Sequence, residues 1–201
     1  MKVLLLLVVL LAVIQYSVAS FVYVQRFDGG CGETAVDGQY IEENYCDYNQ
    51  MFGCSADGTT IFVTEYDNRG DCHGRMVHSW NFTAGACATD RNNNSITASC
   101  VSTYDLPSNS LVRFDYVGQC NSTNWKNEIT NVFFNEMGVC TNSRDPNNQV
   151  SFNVLCSSTA NTMTQQVFKG DGCTGTPIKE NTFPIENKCG WWSNSITVCN
   201  A

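Results

Sequence analysis

Apolar and polar positions alternate along several stretches of this chain. Phe21-Val22-Tyr23-Val24-Gln25-Arg26-Phe27, Thr60-Ile61-Phe62-Val63-Thr64-Glu65-Tyr66, Leu111-Val112-Arg113-Phe114-Asp115-Tyr116-Val117 and Val150-Ser151-Phe152-Asn153-Val154 are rich in aromatic and β-branched residues, and clusters of Gly, Asn, Asp or Pro flank them. That combination predicts strands bounded by turns. Gly38 to Ile41, Met76 to Trp80 and Ser95 to Ser99 read as shorter strands. The stretch between Cys46 and Cys54 is too short for a helix of ordinary length. Residues 129–137 fit either a short helix or a strand, and Thr130, Val132, Phe133 and Phe134 favour strand. Pro177 and Pro184 confine their neighbourhood to edge or irregular structure. No 3.6-residue apolar period is sustained, so the predicted class is all-β.

A second pattern overlies the first. A unit with three cysteines occurs four times: 21–54 with Cys31, Cys46 and Cys54; 59–100 with Cys72, Cys87 and Cys100; 110–156 with Cys120, Cys140 and Cys156; 161–199 with Cys173, Cys189 and Cys199. The fourth unit matches the second best, Val167 to Gly175 paralleling Glu65 to Gly74, and Ser193 to Thr197 paralleling Asn93 to Thr97. Asp105-Leu106-Pro107-Ser108-Asn109 lies midway, with six cysteines on each side. The expected architecture is therefore two disulfide-stapled, Greek-key-like β-sandwich domains, 21–104 and 110–201, joined by a 105–109 linker. Gly74, two residues after Cys72, is expected to supply a positive φ.

Lys2, the apolar run Val3 to Ile14 and the small residues Ser17 to Ser20 have the form of a secretory leader over residues 1–20. The run is shorter than the roughly 20 residues a spanning helix needs, and no later stretch approaches that length. The expectation is a secreted, extracellular protein with no membrane span and no glycolipid tail. The chain has 12 cysteines; an even count in an exported chain predicts disulfides, and the absence of Cys-x-x-Cys spacing argues against zinc. Three cysteines per unit require at least one bridge to the sister unit. The expected scheme pairs the second and third locally (Cys46–Cys54, Cys87–Cys100, Cys140–Cys156, Cys189–Cys199) and the first across units (Cys31–Cys72, Cys120–Cys173). A net charge of −8 without clustered Lys or Arg excludes nucleic acid as a partner.

The turn Glu65 to Gly74, the similar Phe168 to Gly175, and the later Asn-Ser-Ile-Thr segments resemble the opening and closing signatures of βγ-crystallin Greek keys. That resemblance implies a calcium site at Asn93, Asn94 and Thr97, although Ala98 stands where the family has a final serine. The three-cysteine pattern is also similar to small secreted cysteine-rich repeat proteins of amoebae and slime moulds. No other cofactor is implied.

Catalytic constellations are sparse. His73 and His78 occur in one unit only and are candidates for a base and its partner, while surface histidines in a drifted repeat are the plainer reading. No nucleophile elbow, phosphate loop or zinc-protease helix is present. Glu42-Glu43 reads as solvated surface, and Asp67 and Asp71 read as turn residues with calcium as the sharper alternative. Trp80, Trp125, Trp191 and Trp192 are candidate sugar-stacking residues. Asn81, Asn93 and Asn121 stand in Asn-x-Ser/Thr sequons. The leading functional expectation is a non-enzymatic extracellular protein binding a glycan, matrix component or cell-surface protein. Its alternatives are a calcium-binding crystallin-like structural protein and a small hydrolase using His73.

Overall fold

The computed structural model describes residues 21–68, 70, 72–89, 95–117, 128–143, 149–185 and 194–200, which contain strands and no helix. The strands are β1 (Phe21–Phe27), β2 (Ala35–Glu42), β3 (Cys46–Asp47), β4 (Gln50–Cys54), β5 (Thr60–Tyr66), β6 (Met76–Thr83), β7 (Ala88–Thr89) and β8 (Ser95–Val101) in the first half. The second half adds β9 (Ser110–Tyr116), β10 (Ile129–Glu136), β11 (Thr141–Asn142), β12 (Val150–Ser157), β13 (Thr162–Lys169), β14 (Lys179–Pro184) and β15 (Ser195–Asn200). The all-β expectation holds, and the ambiguous 129–137 stretch is the strand β10. Pro184 closes β14, an edge strand, where a missing N–H costs no ladder bond.

The strands form one seven-stranded sheet, β15-β9-β10-β2-β1-β8-β7, and two four-stranded sheets, β3-β4-β5-β6 and β11-β12-β13-β14. In the first half each unit sends one strand pair to the central sheet and one to the flanking sheet, so the units interleave. Antiparallel β2 and β10 pair from Asn131↔Ile41 to Asn135↔Asp37, making the central sheet continuous across both halves. Gly38 lies at this seam. A Cβ there would stand 2.3 Å from Cζ of Phe134, so glycine lets the ring lie against the strand.

Cross-strand partners share a face of a sheet. One face of the central sheet gathers Phe21, Tyr40, Val112, Phe114, Val132 and Phe134, with Tyr23, Ile196 and Val198 beside them. Tyr104 and Leu106, from the segment between the halves, pack on this face. Its rings meet at favourable distances, Tyr23 stacked on Tyr40 at 4.3 Å and Tyr104 edge-on to Phe21 at 5.9 Å. The Tyr40 hydroxyl donates to the Asp105 carbonyl at 2.5 Å, tying the connecting segment down. On the opposite face Val22 and Ala98 pack with Ile61 and Val63 of the first flanking sheet, making a smaller second core.

The cysteine pairing differs from the expected one at every described bridge. The pairs are Cys31–Cys87, Cys46–Cys72, Cys54–Cys100, Cys140–Cys173 and Cys156–Cys199, with Cα separations of 5.7–6.1 Å. Cys120 and Cys189 lie outside the described residues, but Cys173 and Cys199 are bridged to Cys140 and Cys156, so the expected Cys120–Cys173 and Cys189–Cys199 pairs are overturned as well. The reason is the interleaving. In the first half, first pairs with second, second with first and third with third, an order unchanged when the two units are exchanged. Cys54 points from β4 across the sandwich to Cys100 on β8, so a local bridge to Cys46 is geometrically lost. The left-handed residue of the turn is likewise Cys72 itself (φ 51), matched by Cys173 (φ 51). Gly74 has no positive φ; its lack of a side chain instead makes room for the side-chain oxygens of Asp67 and Asn68, which lie 2.3 and 2.5 Å from where a Cβ would stand.

Candidate functional site

A hollow of about 630 Å³ lies between the central sheet and the first flanking sheet, within the range of roughly 300–1,000 Å³ typical of small-ligand sites. Alternation in β6 turns Trp80 and Phe82 inward, and β4 and β5 add Phe52 and Val63 to the same wall. The facing wall is Val24 and Arg26 of β1, Gln39 and Ile41 of β2, and Ile96 of β8, with Ala88 and Thr89 of β7 at its margin. Asp47 and Gln50, around the β3–β4 hairpin, supply polar groups at the other margin. The cleft thus sets an aromatic wall against the Gln39 amide, the Arg26 guanidinium and the aliphatic Val24, Ile41 and Ile96, with the Asp47 carboxylate at one margin.

Those polar groups are held in place. Arg26 Nε donates to Asp37 Oδ1 at 2.7 Å. Gln39 Nε2 donates to Asp47 Oδ2 at 3.2 Å and to Asn131 Oδ1 at 3.4 Å, and Asn131 Nδ2 donates to Asp47 Oδ1 at 3.3 Å. Because Asn131 belongs to β10, this network fastens the cleft margin to the second half. Burial raises the Asp47 carboxyl, and the charge of Asp115 adds to that rise. The bonds from Gln39 and Asn131 and the Arg113 charge oppose it. Asp115 is also raised by burial, with Arg113 opposing through an ion pair at 3.1 Å. Arg113 lies 4.3 Å over the Phe133 ring. Among the described residues lining the cleft none is Ser, Cys or His, and Asp47 is the one carboxylate.

Of the sugar-stacking candidates, Trp80 is in this cleft, while Trp125, Trp191 and Trp192 lie outside the described residues. Of the calcium candidates, Asn93 and Asn94 lie outside them, and Thr97 is a half-buried β8 residue opposite Gln25. Asp67 and Asn68 point their side-chain oxygens at backbone amides, Asp67 accepting from Arg75 N and Asn68 from Gly74 N, both at 3.0 Å. Among the described residues no group of three or more His, Cys, Asp or Glu is placed to hold a metal. His73 lines a separate hollow with Tyr45, Met51 and the Cys46–Cys72 bridge, and no carboxylate is among its described lining residues. His78 stands on exposed β6 opposite Glu65. Glu42-Glu43 is not plain solvated surface: burial raises Glu42, and Glu43 Oε1 accepts the Cys54 amide at 2.9 Å. Asn81 is exposed on β6, and Asn121 lies outside the described residues. Gln39 and Asp47 escape a sequence reading because they are ordinary polar residues until β2 and β3 bring them together.

Five bridges with no free cysteine among the described residues point to folding in an oxidising compartment. No described helix is long and apolar enough to cross a membrane. A family model described as counting factor-associated protein A/B/C matches residues 1–201. Counting factor-associated protein A of Dictyostelium discoideum is 26% identical over 156 residues, which are 74% of this chain and 65% of that protein. The match therefore spans just under two thirds of this relative's length. It agrees with the likeness to slime-mould cysteine-rich proteins. No solved structure matches.

Proposed function

Because the chain belongs to the counting factor-associated protein A/B/C family, we propose that it is an exported, non-enzymatic binding protein whose first-half cleft takes an amphipathic saccharide. One observation carries this reading: an aromatic wall of Trp80, Phe82 and Phe52 faces Gln39 and Arg26 across about 630 Å³, with the Asp47 carboxylate, hydrogen-bonded to Gln39, at the margin. A sugar ring has an apolar face that stacks on indole and a hydroxyl rim that matches Gln39, Gln50 and Asp47. Hydrolysis of a glycosidic bond ordinarily takes two carboxylates flanking that bond, and Asp47 is the one carboxylate among the described lining residues.

The test is a glycan array with the secreted chain, followed by calorimetric titration of the strongest hit. Trp80→Ala is expected to weaken binding at least about tenfold, near 1.4 kcal/mol, and Gln39→Ala severalfold with its melting curve intact. A blank array, or a hit whose affinity is the same in Trp80→Ala, overturns the reading. Association with a counting factor is what the relative's name states of that protein; carried to this chain, it makes an extracellular protein a second partner, which a pull-down with and without the competing glycan separates from the sugar site. The calcium-binding, crystallin-like alternative rests on Asn93, Asn94 and Thr97, and a melting point unchanged at millimolar calcium removes it. The hydrolase alternative at His73 draws less support than either.

A further inference from the structure

We propose that Asn81 carries an N-linked glycan whose first sugar packs on the ring of Phe62 and covers the free edge of the first flanking sheet. β6 is an edge strand, and its sequence MVHSWNFT contains no Lys, Arg, Asp, Glu or Pro. Met76 and Val77 on it are 59% and 39% exposed, and Phe62 on the neighbouring β5 is 43% exposed. An uncharged edge bordered by exposed apolar side chains invites pairing with another chain, and natural sheets protect such edges. The corresponding edge of the second flanking sheet is β14, KENTFP, which has Lys179, Glu180 and Pro184 and no sequon. Where β14 has charge and proline, β6 has Asn81-Phe82-Thr83.

The register places the sugar. Trp80 and Phe82 turn into the cleft, so Asn81 points away from it, and Asn81 pairs directly with Phe62. The other neighbour of Phe62 across the sheet is Gly53, which has no side chain of its own and sits beneath the side-chain oxygens of Glu43 and Asn44. Directly opposed Cβ atoms lie about 5 Å apart, close enough for a sugar on Asn81 to lie over the ring. In the transfer the Asn81 amide nitrogen bonds to the anomeric carbon of an oligosaccharide. The bond from that carbon to a lipid pyrophosphate donor breaks, the amide proton is released, and the pyrophosphate keeps the electron pair. The inference rests on export and not on the cleft, so a blank glycan array leaves it standing.

The experiment is peptide-level mass mapping of the full chain secreted from a eukaryotic host, for wild type and Thr83→Ala, followed by melting and light scattering of both in Phe62 and Phe62→Ser backgrounds. Asn81 is expected to be occupied in wild type and bare in Thr83→Ala. Loss of the glycan is expected to lower the melting temperature by about 2 °C or more and to increase self-association, with a much smaller change when Phe62 is Ser. If Thr83→Ala is poorly secreted, enzymatic removal of the glycan from folded protein supplies the same comparison. A secreted chain with unmodified Asn81, or equal losses in both Phe62 backgrounds, overturns the proposal.

Discussion

The two halves share a strand plan but not an interior. Aligning Cys54 with Cys156 and Cys100 with Cys199 sets Val24 against Arg113, Ile41 against Asn135, Ala98 against Thr197, Val63 against Gln165 and Trp80 against Asn181. In the first half the two layers meet through buried Val22, Ile61, Val63 and Ala98. In the second, the counterparts of Val63 and Ala98 are the polar Gln165 and Thr197, Phe183 is 43% exposed where Phe82 is half-buried, and the layers are tied by Cys156–Cys199. Both halves thus carry the equivalent bridge between layers, Cys54–Cys100 and Cys156–Cys199; the first adds apolar burial beside its cleft, whereas the second leans on the covalent link over a thinner core. The aromatic face of the central sheet shows no such division, because Phe21, Tyr40, Phe114 and Phe134 from both halves form one cluster.

The sharpest way to break the comparison is to remove the equivalent bridges. Each closes a loop of more than forty residues, separations of 46 and 43, and contributes about 3–4 kcal/mol through the unfolded chain. Cys156→Ala/Cys199→Ala is expected to abolish hydrogen-exchange protection across β12–β14, whereas Cys54→Ala/Cys100→Ala leaves β4 and β5 partly protected by their apolar contacts. Similar loss in both sheets would refute the contrast. The same exchange-symmetric order expects Cys120 to pair with Cys189, both outside the described residues, and a non-reducing peptide map checks it.

A smaller difference is expected from packing alone. Ile61 is fully buried and its counterpart Met163 is half-buried. Ile61→Ala is expected to cost about 3 kcal/mol and Met163→Ala about 1 kcal/mol or less, read from urea unfolding. Smallest is the pH dependence. The raised Asp47 carboxyl binds its proton more tightly folded than unfolded, so its contribution to stability falls as pH rises from near 4 through the folded value and is level above it. Asp47→Asn is expected to flatten that slope and to be as stable as wild type, or more so by about 1 kcal/mol or less, at pH 7. Asp115→Asn is expected to behave in the same direction, because burial raises that carboxyl in spite of its ion pair with the half-exposed Arg113.

Alternation alone located the strands well, Phe21–Phe27 and Thr60–Tyr66 to the residue, because a sheet with one buried face writes a period of two into its sequence. The three-cysteine unit was equally legible as a repeat. What failed was the specific cysteine pairing, which needed distances. Local cysteine pairs looked economical in sequence, yet interleaving brings Cys46 to Cys72 and Cys54 to Cys100. Trp80 was one tryptophan among four until β6 aimed it into the cleft, and no local signal marked Gln39 or Asp47.

The amino-acid order by itself determined the class, the strands and the need for bridges between units, since these follow from side-chain periodicity and from an odd count of thiols. Tertiary structure alone decided which cysteines meet, that β2 and β10 make one sheet of two halves, and which half encloses a cleft. Those outcomes depend on contacts between residues far apart in the chain, and contacts of that kind leave no period to read.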